Sequence, residues 1–537
     1  MKQLLFVISV VALISVPVLS FAQNDTIDIY ATQGDLNDLI DGTQEGAVYR
    51  LVSLDTTYKY TDAITVTADI TVIGVPDPVT NRPPTIQPAV LPDGTIPETI
   101  FSISGDGINV HLQDMYLLAK ATNNVANADG IAVVVSGDNV RLSVDNCVFD
   151  GWQAFAIGYN GQWDSFYLTN NHFRNMVHPN QHYIGEVIRN MWPGEAYTDT
   201  LSMVGNTIIG VNAYASAPVT VFYMEYFEFI DNEVIYMFKN PFFKHNLTTG
   251  KINNNIFYAN WVGGTDQQEH PWWDNLAEPD ESYGLISLHP LLEGNAEMFN
   301  PDDPEAAESL RSIEVKDNIY YWPDEVRNFW TAYNDTADNW IYTPEWMSER
   351  TVAMFADNDA YPYLEESGNM EMRPAHYDAV LDERMLYGTT GSDIGILAYF
   401  EQIRSGTAAT DVWGFGITQV DDAPDWVPQW PLPETAYIVT SVGDEPVGVP
   451  DKFVLDQNYP NPFNPATTIQ YTIPVTEKVV LTVYNILGQE VATLVNEVQN
   501  PGTHQVTFDA AQLSSGVYLY RLTAGDYTNI KKMLFVK

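Results

Sequence analysis

The stretch SFYLTNNHFRN (Ser165 to Asn175) sets two asparagines between short runs of alternating apolar residues, where a strand would normally continue. The same arrangement recurs along the chain. Asn171 here is matched by Asn146 in VRLSVDNCVF, Asn206 in LSMVGNTII, Asn232 in FEFIDNEVIY, Asn255 in KINNNIFY and Asn318 in SIEVKDNIYY. An earlier relative, INVHLQDMYL, has Asp114 in that place. Successive asparagines lie 25, 35, 26, 23 and 63 residues apart. A period in the twenties with one amide per unit is the signature of a solenoid. Parallel strands stack about 4.8 Å apart, so an asparagine at the same corner of each coil reaches its counterpart in the next. Asparagine also tolerates the left-handed backbone of a sharp corner. The six asparagines are therefore expected to form a hydrogen-bonded ladder.

Upstream, YRLVSLDTTYKYTDAITVTADITVIGVPD alternates apolar and polar residues, and PTIQPAV and TIFSISGDGINVHL follow as further strands. This opening resembles the first coils of right-handed parallel β-helices such as pectate lyases and related polysaccharide-active proteins. The resemblance runs from about Tyr49 to Trp261, with later coils at Ser312 to Tyr321 and near ESGNMEMRPAHYD. A solenoid needs capped ends, and the amphipathic stretch Asp35 to Ile40 is placed to cap the first coil. The step of 63 residues marks an insertion near 263–310. A second, aromatic-rich segment covers 322–400, where DEVRNFWTAYNDTADNWI and MSERTVAMFA have helical apolar spacing.

The first residues carry one lysine (Lys2), an apolar run from Leu4 to Val18 and small residues at Ser20 and Ala22. That is the layout of a signal peptide spanning 1–22 and cleaved after Ala22. The run is short for a bilayer span, and no transmembrane segment is expected in the mature chain. Cys147 is the only cysteine. It cannot form an intramolecular disulfide, and it is expected to be a small buried apolar residue.

Charge is unevenly distributed. Residues 452–537 hold six acidic and six basic side chains, whereas 24–451 hold 64 acidic and 17 basic, a net of −47. Such a field repels phosphates and excludes nucleic acid as a partner. An acidic polysaccharide would need bridging cations or a local basic site.

A Pro-rich linker over 411–451 leads to alternating strands, KFVLDQNYPNPFNPATTIQYTIP, VVLTVYNILGQEVATLVN, GTHQVTFDAAQLSSGVYLYRL and KKMLFVK. They predict a small immunoglobulin-like β-sandwich over 452–537. This module resembles the type A C-terminal sorting domain of proteins exported by the type IX secretion system. The matching residues are Tyr459, Pro460, Asn461, Pro462, Phe463 and Asn464, then Tyr484, Gly488, Gly502, Gly516, Tyr518, Arg521, Lys532, Met533 and Lys537. The resemblance implies passage through the periplasm, then the type IX machinery as partner, and release or attachment at the outer cell surface. The whole chain is thus expected to be all-β: a right-handed parallel β-helix over 23–410 with inserted loop and helical segments, then the linker and the sandwich.

Three groups of residues are candidates for chemistry. NHFRNMVHPNQHYIGEVIRNMW carries His172, Arg174, His178, His182, Glu186 and Arg189. A lyase acting on uronic acids needs a base near the C5 proton and a cation on the carboxylate. Arg174 or Arg189 could supply the cation, and His178 or His182 the base; a polar loop leaving the solenoid accounts for the cluster as well. FKNPFFKHN adds Lys239, Lys244 and His245, expected on the same face if the first group is catalytic; snorkelling lysines are the other reading. The tryptophans, all thirteen between Trp152 and Trp430, include Trp192, Trp261, Trp272 and Trp273. They could support sugar rings or pack inserted segments onto the solenoid. NPDDPEAAES and ADNDAY could bind calcium through oxygens, though neither has an EF-hand spacing. No cofactor motif is present. Two functions follow: a polysaccharide lyase or glycoside hydrolase, or a non-catalytic surface adhesin or structural protein that binds glycan.

Overall fold

Alternation at period two builds the wall of each coil. In Ala47–Val52, Ala47, Tyr49 and Leu51 are buried while Val48, Arg50 and Val52 keep part of their surface in water. The next strand of the same sheet, Ile70–Val75, lies parallel to it with Tyr49 against Val72.

The computed structural model describes residues 26–53, 57–77, 82–121, 129–178, 184–191, 197–213, 215–217, 223–238, 241–242, 246–260, 265–266, 284–286, 288, 309, 311–334, 340–341, 345–374, 385–387, 393–399 and 414–415, and, in the C-terminal unit, 454–455, 458, 463, 465–473, 477–485, 489–499, 502–511, 513, 516–525 and 527–535. The chain divides into two units, Met1–Val439 and Thr440–Lys537.

The first unit is a parallel β-helix. Most of its described strands fall into an eleven-stranded sheet, a ten-stranded sheet and a six-stranded sheet, and neighbours in each of the three are parallel. One coil illustrates the path. Arg141–Asp145 lies in the first sheet, a two-residue corner follows, Val148–Asp150 lies in the second and Phe155–Tyr159 in the third. Because coils stack in register, like positions superpose. Leu142, Phe166, Leu201 and Phe227 form one interior file, and Phe149 stacks on Phe173 at 5.0 Å. Each such side chain contributes roughly 1.5–3 kcal/mol by leaving water.

The corner between the first and second sheets divides two tasks between consecutive residues. The first residue takes the left-handed conformation: Asp114, Asn146, Asn170, Gly205, Asp231, Asn254, Asp317 and Gly368, with φ between 53° and 70°. The second turns inward and is buried: Met115, Cys147, Asn171, Asn206, Asn232, Asn255 and Asn318, with Asn369 following in the last coil. Asn146 therefore stands outside the interior ladder in which the sequence placed it. It occupies the left-handed file, donating to Asp114 Oδ1 at 2.7 Å, and Cys147 fills the ladder position of its coil. The recurring Asp-Asn, Asn-Asn and Gly-Asn pairs conceal which residue does which task, and DNC aligns by its aspartate only if the pair is shifted by one.

From Asn171 to Asn369 the ladder is continuous. Each side-chain amide donates to the next asparagine's Oδ1 at 2.8–3.1 Å. The same oxygen also accepts that residue's backbone N–H. Each amide's second hydrogen goes to a buried carbonyl of the preceding coil, such as Val144 or Leu168. Every donor of a buried amide is thus satisfied, which is what makes its burial affordable.

At the N-terminal end, the short helix Leu36–Leu39 buries Leu36, and Ile40 follows it into the core. The helices Asp324–Asn334 and Glu349–Ala356 fall where the apolar spacing places them, and Ser348 caps the second by accepting the Thr351 N–H.

The second unit pairs a three-stranded antiparallel sheet (Val454–Leu455, Ala466–Ile473, Gly502–Asp509) with a four-stranded one (Glu477–Asn485, Glu490–Gln499, Gly516–Ala524, Tyr527–Phe535). Ile469, Tyr471, Leu481, Tyr520, Met533 and Phe535 fill the core between them.

Candidate functional site

Among the described residues, the two arginines of the basic cluster do not share a sheet. Arg174 follows Phe173 on the second sheet, opposite Asp150 of the preceding coil. Its Nε donates to Asp150 Oδ2 at 2.8 Å, its Nη2 lies 2.8 Å from the same oxygen, and Nη2 reaches the Tyr116 hydroxyl at 2.9 Å. Tyr116 also donates to Asp150, and Asn175 Nδ2 donates to Asp150 Oδ1 at 2.7 Å. All four side chains are buried. Desolvation drives the Tyr116 phenol well above its ordinary range, with Arg174 opposing it. A buried ion pair is tolerable when its remaining lone pairs meet donors, and Asp150 meets that condition on both oxygens.

Arg189 stands on the third sheet, where it pairs with Glu186 at 2.8 Å and lies over the Phe155 ring. Desolvation pushes the fully buried Glu186 carboxyl up to about 8, against the pull of Arg189. His178 is buried too, and its carbonyl accepts a hydrogen bond from Tyr399 at 2.7 Å. Tyr399 packs edge-on to Phe238, and Gly414–Phe415 packs against His172–Met176 and Thr207–Val211. The late segment of the unit thus covers this part of the second sheet. Desolvation lowers the His178 pKa, partly offset by Asp129; desolvation and then Arg174 lower His172 to about 3. The two arginines therefore sit on different sheets and are both committed to protein carboxylates.

His182, Lys239, Lys244, His245, Trp192, Trp261, Trp272 and Trp273 lie outside the described residues. Among the described tryptophans, Trp152 and Trp322 are buried and donate to the Leu117 and Asn260 carbonyls, and Trp346 stacks on Tyr320 at 4.7 Å. These three pack coils and insertions together. Among the described residues, no group of three or more His, Cys, Asp or Glu side chains is placed to hold a metal. Asp357 of ADNDAY closes a turn by accepting the Ala360 N–H at 3.0 Å.

The outward face of the eleven-stranded sheet is different, and the sequence reading passed over it. Arg141, Ser165, Thr200 and Tyr226 share one outward row; Ser143, Tyr167, Ser202, Glu228 and Lys251 share the next. Most keep part of their surface in water. The Arg141 guanidinium lies 4.1 Å from the centre of the Tyr167 ring. Ser165 donates to Asp199 at 2.9 Å, and Ser202 donates to Glu228 at 2.8 Å. Further on, Lys316 bridges Glu314 and Glu365. The signal was present in SFYLT: with Phe166 and Leu168 inward, parity sends Ser165 and Tyr167 outward.

In the C-terminal unit, the motif residues divide between core and surface. Phe463 and Tyr518 are buried, and the Phe463 ring packs 5.1 Å from Phe535. Arg521 is exposed, lying over the Tyr484 ring and donating to its hydroxyl, and Lys532 is exposed on the last strand opposite Leu519. Gly516 opens the third strand of the four-stranded sheet. Tyr459, Pro460, Asn461, Pro462, Asn464 and Gly488 lie outside the described residues. Residues 457–537 match the family of secretion system C-terminal sorting domains. This sorting domain marks proteins exported by the type IX system to the cell surface or the medium. No curated protein and no solved structure matches the chain. No helix among the described residues is long and apolar enough to cross a membrane.

Proposed function

We propose that this protein is an exported surface or secreted β-helix whose solenoid wall binds polysaccharide without cleaving it. The carrying observation is the half-buried outward face of the eleven-stranded sheet, with Arg141 stacked on Tyr167 among hydroxyl and carboxylate side chains. Rings with adjacent hydrogen-bonding groups suit pyranose recognition. Coils repeating about every 4.8 Å present such groups at regular intervals along a polymer. The lyase reading needs a cation free to meet a substrate carboxylate, and Arg174 and Arg189 are both held by protein carboxylates. The signal peptide read in residues 1–22 supplies the first export step in this account.

The test is retention of the purified chain on a panel of neutral and acidic polysaccharides, run beside assays for unsaturated products and new reducing ends. Retention without product supports the proposal. No retention on any member overturns it, and steady release of either product replaces it with an enzymatic role.

A further inference from the structure

We propose that Trp163 and Tyr197 form a binding platform for neutral sugar rings at the edge of this wall, an inference that rests on the polysaccharide reading above. Trp163 precedes the strand Asp164–Thr169 and has a φ of 61°. The equivalent corner of the two preceding coils holds Gly107 (φ 67°) and Asn139 (φ 57°). The three form one file, because each backbone N–H donates to the next coil: Gly107 to the Asp138 carbonyl, Asn139 to that of Gln162, and Trp163 to that of Tyr197.

Glycine and asparagine adopt this left-handed conformation readily, whereas a bulky side chain does so at a cost in stability. The chain places its largest side chain there and leaves it 42% exposed. Burial compensates such a choice only in part, and strain of this kind is characteristically retained at binding sites. The Trp163 and Tyr197 rings stack across adjacent coils at 5.4 Å and 18°, so they make one continuous aromatic surface.

The surroundings specify the ligand. Asp164 is buried next to Trp163; its Oδ1 accepts the Val140 N–H at 2.9 Å, and its Oδ2 has no hydrogen-bond donor. Asp138, at the corner of the preceding coil, accepts the Gln162 N–H at 2.9 Å. Asp199, two residues beyond Tyr197, accepts hydrogen bonds from Ser165 and Thr200. Asp138 and Asp199 keep surface in water beside the aromatic pair, where carboxylates accept hydrogen bonds from sugar hydroxyls and repel sugars that carry carboxylate or sulfate, whereas the fully buried Asp164 is out of a ligand's reach. Arg141, which shares an outward row with Ser165, is directed onto Tyr167. Neutral hexose or pentose polymers fit this site better than uronates.

Affinity electrophoresis of the full chain in soluble glucan, mannan and xylan, with polygalacturonate as the acidic comparator, tests the assignment. Trp163→Asn and Trp163→Gly restore the residue types of the file. They are expected to leave the thermal midpoint unchanged or raised while weakening retention on the neutral polymer at least tenfold. Tyr197→Ala should weaken it as well, and Trp163→Phe should retain part of it. If wild-type protein binds a neutral polymer and Trp163→Asn binds it equally, the stack is coil packing only and the platform is refuted while the polysaccharide reading stands. Preferential binding to polygalacturonate refutes the ligand class. Absence of binding to all four polymers removes both.

Discussion

The side-chain oxygen of Asn206 accepts two hydrogen bonds from Asn171, one from its backbone N–H at 2.9 Å and one from its side-chain amide at 3.1 Å. Asn206 in turn donates to Asn232 and to the Leu168 carbonyl. Replacing it by leucine strands donors on one side and acceptors on the other, all in the dry interior. At about 1–3 kcal/mol for each buried group left unpaired, Asn206→Leu is expected to cost at least about 3 kcal/mol. Asn146→Gly, at the left-handed file beside the ladder, should cost less than about 1 kcal/mol. Urea denaturation of the two variants checks the contrast, and equal losses would show that the two files share one role.

Cys147 marks the place where the ladder stops short. Its N–H donates to Asn171 Oδ1 at 2.9 Å, as an asparagine's would, but the thiol turns to the Asp145 carbonyl. Cys147→Asn should therefore add a rung and melt above Cys147→Ala. Burial pushes the thiol pKa up, so the folded protein should resist thiol reagents until denatured.

Arg174 tests whether the buried ionic network is structural. Arg174→Met leaves the buried Asp150 without its cation, and should destabilise by about 3–5 kcal/mol. Combining it with Asp150→Leu should recover much of that loss. A single mutant as stable as wild type would mean the pair carries no structural load, and would return Arg174 to consideration as a substrate ligand.

The pH dependence follows from three desolvated groups with opposite signs. Glu186 and Asp164 have folded pKa values raised to about 8 and about 7, chiefly by desolvation. Their protonated forms favour the fold, so their stabilisation is complete below their unfolded values and is lost as pH rises through the folded ones. His172, lowered to about 3, acts in reverse: its contribution is present above its unfolded value and is lost as pH falls toward the folded one. Thermal melts should therefore peak at mildly acidic pH and decline on both sides. Glu186→Gln should flatten the alkaline limb; an unchanged limb would assign that decline to other groups.

Removal of residues 457–537 should leave the solenoid folded but block passage across the outer membrane. Fractionation should then find the truncated chain in the periplasm. Surface delivery without those residues would contradict export through the type IX system.

The coil pattern was legible because stacking in register repeats one local rule many times. The chain needs an alternating strand, a left-handed corner residue and a buried amide, and it writes that need again in each coil. Asn369 could have been read in the same way from SGNMEM, where it follows Gly368 as Asn206 follows Gly205. The site was far less legible. Arg174, His178 and Arg189 are neighbours in sequence, but the two arginines lie on successive strands that belong to different sheets.

Sequence alone determined the solenoid, its period, its helical excursions and its sorting domain, because each is written in spacing along the chain: one coil apart for the ladder, three or four residues apart for the helices, alternate residues for the strands. Tertiary structure decided which charged side chains face water. Whether Arg174 meets a substrate or Asp150 depends on a tyrosine 58 residues earlier, and whether His178 is open depends on Tyr399, 221 residues later. Burial arises from contacts of that range, and no local pattern encodes them.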